Sequence, residues 1–169
     1  MNDISFYTSI SDQMGSGDVI EFQGYDELGK LIRAKTGFDT NHSGLVIVMQ
    51  SPYTMTKRRY IHEAMADGVV TDYLSVVLRK YNGIAFWSAL DDEYKTEIPA
   101  IEGRAFQYIG VPYDFAGLVR QLFGHAAVET EKMFCSEYVY VANGGEGDAP
   151  WPGEVIKKLN RWKPRIQII

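Results

Sequence analysis

Residues 45–49 of this 169-residue chain read Leu-Val-Ile-Val-Met without a polar interruption, and Pro52 closes the run. A segment with no polar face to turn toward water predicts a strand covered on both sides. The rest of the chain must then supply two layers. At this length it can build one sizeable core, but not two comfortable ones, so residues 1–169 are read as one domain. A hydrophobic share of 46% and a charged share of 23% are those of a folded globular chain and exclude a disordered or fibrous one.

Turn and breaker residues divide the remainder into short elements. Gly17 and Asp18 lead into a strand at 19–22. Leu28, Leu31 and Ile32 recur at helical spacing within 27–36, and Gly37 supplies the stop. Residues 60–66 and 69–70 predict further strands, and Thr71 or Asp72 a cap for a helix carrying Leu74, Val77 and Leu78. Gly83 then separates that helix from a strand at 84–90. Asp91 or Asp92 opens a helical stretch in which Pro99 stands near the start and Ile101, Ala105, Phe106 and Ile109 form one face. A loop at 110–114, helices at 115–123 and 134–143, and a final strand at 165–169 complete the reading. Short connections between neighbouring strands require antiparallel pairing, so the expected class is α+β, with an antiparallel central sheet flanked by helices.

Charge and cysteine usage narrow the function. A net charge of −5 argues against a nucleic-acid surface, and the local run Lys57-Arg58-Arg59 is read as a solvated loop. The leading residues lack the basic segment and apolar run of a secretory signal, and no stretch approaches the ~20 apolar residues of a membrane span. One cysteine cannot form an internal disulfide. The expected location is the cytoplasm, a reducing compartment.

That cysteine is also the side chain most easily made nucleophilic near neutral pH. Cys135 precedes the apolar helical run Ser-Glu-Tyr-Val-Tyr-Val-Ala. If the helix starts at Phe134, its terminal amides favour a thiolate; if Thr130 caps it, Cys135 falls in the second turn and that help is lost. A buried core cysteine is the competing reading. Three histidines could act as base. His42 opens the most buried strand, where a polar residue needs a reason, and Ser43 and Gly44 leave room for a partner; His125 follows Gly124 in a loop. His62 and Glu63 alternate along one strand, so only one of them can face His42.

Together GDVIEF at 17–22, NHSGLVIV at 41–48, IHEA at 61–64, GVPYD at 110–114 and FCSEYV at 134–139 resemble the YiiX-like permuted papain amidases of the NlpC-type superfamily. The resemblance spans about residues 15–156. It implies a circularly permuted papain-like fold, in which the histidine strand precedes the cysteine helix. It also implies Cys135 as nucleophile, His42 as base, Glu63 as the acid that orients the imidazole, and Tyr113 as a residue lining the site. Asp114 is read as a helix cap. The implied activity is hydrolysis of a small peptide or aminoacyl amide through an acyl-enzyme, without metal or cofactor. Tyr113, Trp87 and Phe134 would offer aromatic surface to this small-molecule or short-peptide substrate. Two departures stand out: Ser43 where the family carries a branched aliphatic residue, and Tyr138 where it carries Leu. The competing functions are an acyltransferase or lipid thioesterase of the lecithin:retinol acyltransferase type, and a binding or structural module without turnover.

Overall fold

The computed structural model describes residues 1–114, 116–118 and 133–169. Among them, helix α1 (Ser5–Ile10) precedes strand β1 (Val19–Gly24), helix α2 (Glu27–Thr36) and strands β2 (His42–Gln50), β3 (Lys57–Met65) and β4 (Gly68–Tyr73). Helix α3 (Leu74–Lys80), strand β5 (Gly83–Ser88) and helix α4 (Ile98–Gln107) follow. Helices α5 (Cys135–Ala142) and α6 (Val155–Leu159) and the short strand β6 (Ile166–Gln167) end the chain. Six strands pair antiparallel in the order β4-β3-β2-β1-β5-β6.

The expected double-sided burial of β2 is what organises the layers. Leu45 and Ile47 join Val19, Ala64 and Val69 on one face, under Ile101 and Ala105 of α4 and Tyr138, Val139 and Ala142 of α5. Val46 joins Ile20, Phe22, Ile61 and Ala85 on the other, under Leu74 and Leu78 of α3 and Tyr7 and Met14 from the N-terminal segment. Helix α2 has the expected bounds. Its first turn is capped by the Asp26 carboxylate, which accepts from the Gly29 N–H at 2.8 Å, and Gly37 ends it in the left-handed region at φ 73°.

Several expectations are corrected. Thr71 and Asp72 do not cap a helix; they lie in β4 opposite His62 and Ile61, and α3 begins after Tyr73 with no side-chain cap. Pairing across the sheet satisfies those backbone groups and outcompetes a local cap. Lys57, Arg58 and Arg59 are not a loop: they extend β3 and pair with Gln50, Met49 and Val48. Backbone ladder bonds need no apolar side chain, and Arg59 directs its guanidinium to Asp12 at 2.9 Å. Of the expected apolar face, Ile101 and Ala105 of α4 are buried, Phe106 is about half exposed, and Ile109 lies beyond the helix and is also about half exposed. Of the expected helix at 115–123, residues 116–118 are helical, and Asp114 caps them by accepting from the Gly117 N–H at 2.7 Å. The other residues of that helix, with His125 and Thr130, lie outside the described residues.

Gly44 is the position on β2 where size matters most. A Cβ there would stand 2.7 Å from Ile61 Cγ1 and 3.3 Å from Glu63 Cβ. Gly44→Ala should therefore lower the unfolding free energy by about 1–3 kcal/mol through overpacking. Denaturant titration measures this, and an unchanged midpoint would mean that Ile61 repacks without strain.

Candidate active site

The β2–β3 register decides which polar side chains meet. Leu45 pairs with His62, so Glu63 projects beside Gly44 on the face that also carries His42. With no side chain at Gly44, the carboxylate leans diagonally across the pair. His42 Nε2 and Glu63 Oε2 stand 2.6 Å apart, both largely buried. His62 points the other way, into the core, where its ring meets Phe106 edge-on at 5.2 Å. Neither of its nitrogens has a partner among the described residues.

Helix α5 packs on β2 and β3 and brings its first residue to the open end of β2. Phe134 is the N-cap in an extended conformation, so Cys135 occupies the first helical position rather than the second turn. Cys135 is the group whose charge acts most strongly on the His42 ring. With Nε2 taken by Glu63, Nδ1 is the nitrogen left for the sulfur. Burial pushes His42 toward the neutral form, but the charge and hydrogen bond of Cys135, joined by those of Glu63, outweigh it and raise His42 to about 10. His62 has only burial acting on it and falls to about 4.

A cleft of about 260 Å³ opens beside this group, and His42 and Tyr113 are among its walls. Tyr113 bridges to Met133, just ahead of α5, and its hydroxyl is held protonated by burial and by the nearby Cys135 and Asp114 charges. Cys135 itself is only 1% exposed. Phe134 is buried with Ile32 and Leu118. Trp87 does not reach the cleft: it lies on β5, one strand beyond β1 from His42, buried against Ile20, and donates its indole N–H to Asp18 at 2.8 Å. A period-two reading of one strand could not say which buried aromatic faces which cavity. Sequence reasoning also missed Asp26, Asn41 and Tyr81, which line the cleft. Asn41 stood next to His42 in the motif, and that adjacency was the available signal.

Both departures from the expected motifs are buried and polar. The Ser43 Oγ and Tyr138 hydroxyl have no hydrogen-bond partner among the described residues, and Tyr138 rests edge-on against Tyr108. Beside the nucleophile candidate, burial raises Glu137 to about 7. Among the described residues, no three or more His, Cys, Asp and Glu side chains gather as metal ligands would, and no helix is long and apolar enough to cross a membrane.

No family model matches the chain, and no curated protein does. The fold resembles the crystal structure of metalloprotein yiiX from Escherichia coli O157:H7, with a TM-score of 0.58 and 24% identity over 77% of this chain. The match spans 64% of that protein. At this identity the likeness concerns the fold. The word metalloprotein describes yiiX; the residues gathered here do not fit a metal centre, and no step below runs through one.

The two histidines should separate cleanly by NMR titration. His42 should remain protonated through neutral pH and titrate markedly lower in Cys135→Ala, since the charge of Cys135 is the leading cause of its rise. His62 should stay neutral down to about pH 4. The unfolded chain takes up that proton first, near 6.5, so stability should fall as pH drops from about 6.5 toward 4, by on the order of 3 kcal/mol in all. Denaturant midpoints across that range should lose this slope in His62→Leu. An unaltered slope would place the acid sensitivity elsewhere.

Proposed function

We propose that the protein is a cysteine-nucleophile hydrolase of small peptide or aminoacyl amides, built as a single domain on the YiiX-like permuted papain plan and working in the cytoplasm. The observation that carries this reading is the contact of His42 Nε2 with Glu63 Oε2, on a ring that also feels the charge of Cys135, beside an open cleft. A side chain that can lose its proton, a base and an acceptor that fixes the base are what acyl transfer through a thiol requires.

His42 already holds the proton given up by the Cys135 thiol, and the sulfur attacks as thiolate the carbonyl carbon of a substrate entering past His42 and Tyr113. Electron density moves onto the carbonyl oxygen, which the first backbone N–H groups of α5 would stabilise. Collapse breaks the C–N bond, and the leaving amine departs with the proton from His42. Water then gives its proton to His42, attacks the thioester and releases the acid. Glu63 accepts from Nε2 throughout and holds the ring to this geometry.

A second reading, transfer or thioester hydrolysis of lipid acyl groups, is favoured by the cleft walls, where Leu28, Ile32, Ala64, Met65 and Ala66 dominate. Substrates decide between the two. A matched panel of dipeptides, aminoacyl amides and phospholipid vesicles should show turnover of the amides and little of the vesicles, all of it lost in Cys135→Ala. Vesicle hydrolysis as fast as the best amide would replace the first reading with the second. Within the panel, Glu63→Gln should lower kcat by ~10-fold or more, while His62→Leu leaves it within a few-fold. The reverse order would contradict the assignment of Glu63.

A further inference from the structure

Asn41 immediately precedes His42 and is 8% exposed, so its carboxamide is a buried polar group that needs partners. Its oxygen has two. Oδ1 accepts from the Gly24 N–H at 2.7 Å and from Arg33 Nη1 at 2.8 Å. Two donors on one side fix the orientation of the amide, because a flipped group would present N–H to N–H. The Nδ2 group therefore lies on the side away from Gly24 N and Arg33, and it donates to no group among the described residues. It is not sealed in the core either: Asn41 is part of the cleft wall that holds His42.

The surroundings keep this amide in place. Gly29 of α2 lies against it so closely that a Cβ there would stand 2.8 Å from Nδ2. Asp26, whose other oxygen caps α2, and the Tyr81 hydroxyl approach the same side of Gly24. The Arg33 guanidinium also donates to the Gly24 carbonyl, so it is spent on the backbone and on Asn41 Oδ1. A buried amide with its acceptor saturated and its donor unused, in the wall beside the proposed base, is arranged to receive an oxygen from outside the protein.

We infer that Asn41 is a substrate-binding residue, whose Nδ2 donates a hydrogen bond to an uncharged carbonyl oxygen of the bound substrate next to the bond that is cleaved. This rests on the hydrolase reading and adds to it. The substrate must carry a second carbonyl, as a peptide or acylamino compound does and a simple acyl ester does not. A site built around such a donor discriminates against analogues lacking the acceptor, because the N–H is then left unpaired on closure.

Asn41→Asp separates the two halves of the side chain. It keeps an acceptor for Gly24 and Arg33 and deletes the donor, so the melting temperature should change little. The readout is covalent labelling of Cys135, the sole cysteine, followed by mass spectrometry. One probe is acetyl-alanyl chloromethyl ketone, which carries an amide carbonyl; the other is methyl methanethiosulfonate, which carries none. The ratio of the two rates cancels any general effect of the new charge on the sulfur. Asn41→Asp should lower that ratio by about 10-fold, the loss of one well-placed hydrogen bond. Asn41→Ala should lower it equally, while also lowering the melting temperature through the lost Gly24 and Arg33 bonds. A ratio unchanged in both variants, with the wild type labelled by both probes, would overturn the role of Asn41 and leave the hydrolase reading standing. A wild type labelled by neither probe would overturn both.

Discussion

The 2.6 Å contact between His42 and Glu63 is the interaction on which the rest of the site depends. It joins two strands at a diagonal, and it exists because Leu45 is paired with His62 and because residue 44 is glycine. Slipping β3 by one residue would turn Glu63 into the core and His62 toward His42, exchanging an acceptor for a second imidazole. The register is in turn held by burial: Ile61 on one face and Ala64 on the other are fully covered, so each residue of β3 has only one side it can occupy. A polar pair at the end of a strand is thus positioned by apolar side chains in its middle.

Burial and charge act against each other on the two histidines, and the outcome differs because their partners differ. His62 has an aromatic edge and no acceptor, and desolvation alone drives it toward the neutral form. His42 is also desolvated, but the charge of Cys135 and the Glu63 carboxylate act on its ring, and the charged form prevails. The same logic separates the polar groups of the cleft. Asp26 is engaged in capping a helix and Arg33 in fixing a backbone carbonyl, so both are largely spent on structure, whereas the Asn41 amide is spent on one side only.

Much of the fold was legible in the sequence, for reasons that can be named. The uninterrupted run at 45–49 required cover on both faces and has it; Gly37 and Asp114 delimit helices by a left-handed turn and a local hydrogen bond that need no tertiary context. What was missed depends on contacts distant in sequence. Helix α1 is held through Tyr7 against strands far along the chain, and α6 through Val155 against α5 and its neighbours, while β4 runs through Thr71 and Asp72 because β3 is there to pair with them. At the site, Cys135 and His42 were candidates by chemistry and Glu63 was singled out by the resemblance, and the structure brings these three together near Tyr113. Asn41, Tyr81 and Asp26 did not stand out, since an asparagine before a histidine and a tyrosine after a helix carry no pattern of their own.

The central claim is that an imidazole fixed by Glu63 makes Cys135 a nucleophile, although the side chain is almost wholly buried. The most direct measurement is the rate of alkylation of Cys135 by iodoacetamide at neutral pH, followed by intact mass and compared with a model thiol peptide. The account predicts that the protein reacts faster than the peptide and that His42→Ala removes the advantage. A wild-type cysteine that reacts more slowly than the peptide, and no differently when His42 is replaced, would show a core cysteine and contradict the account.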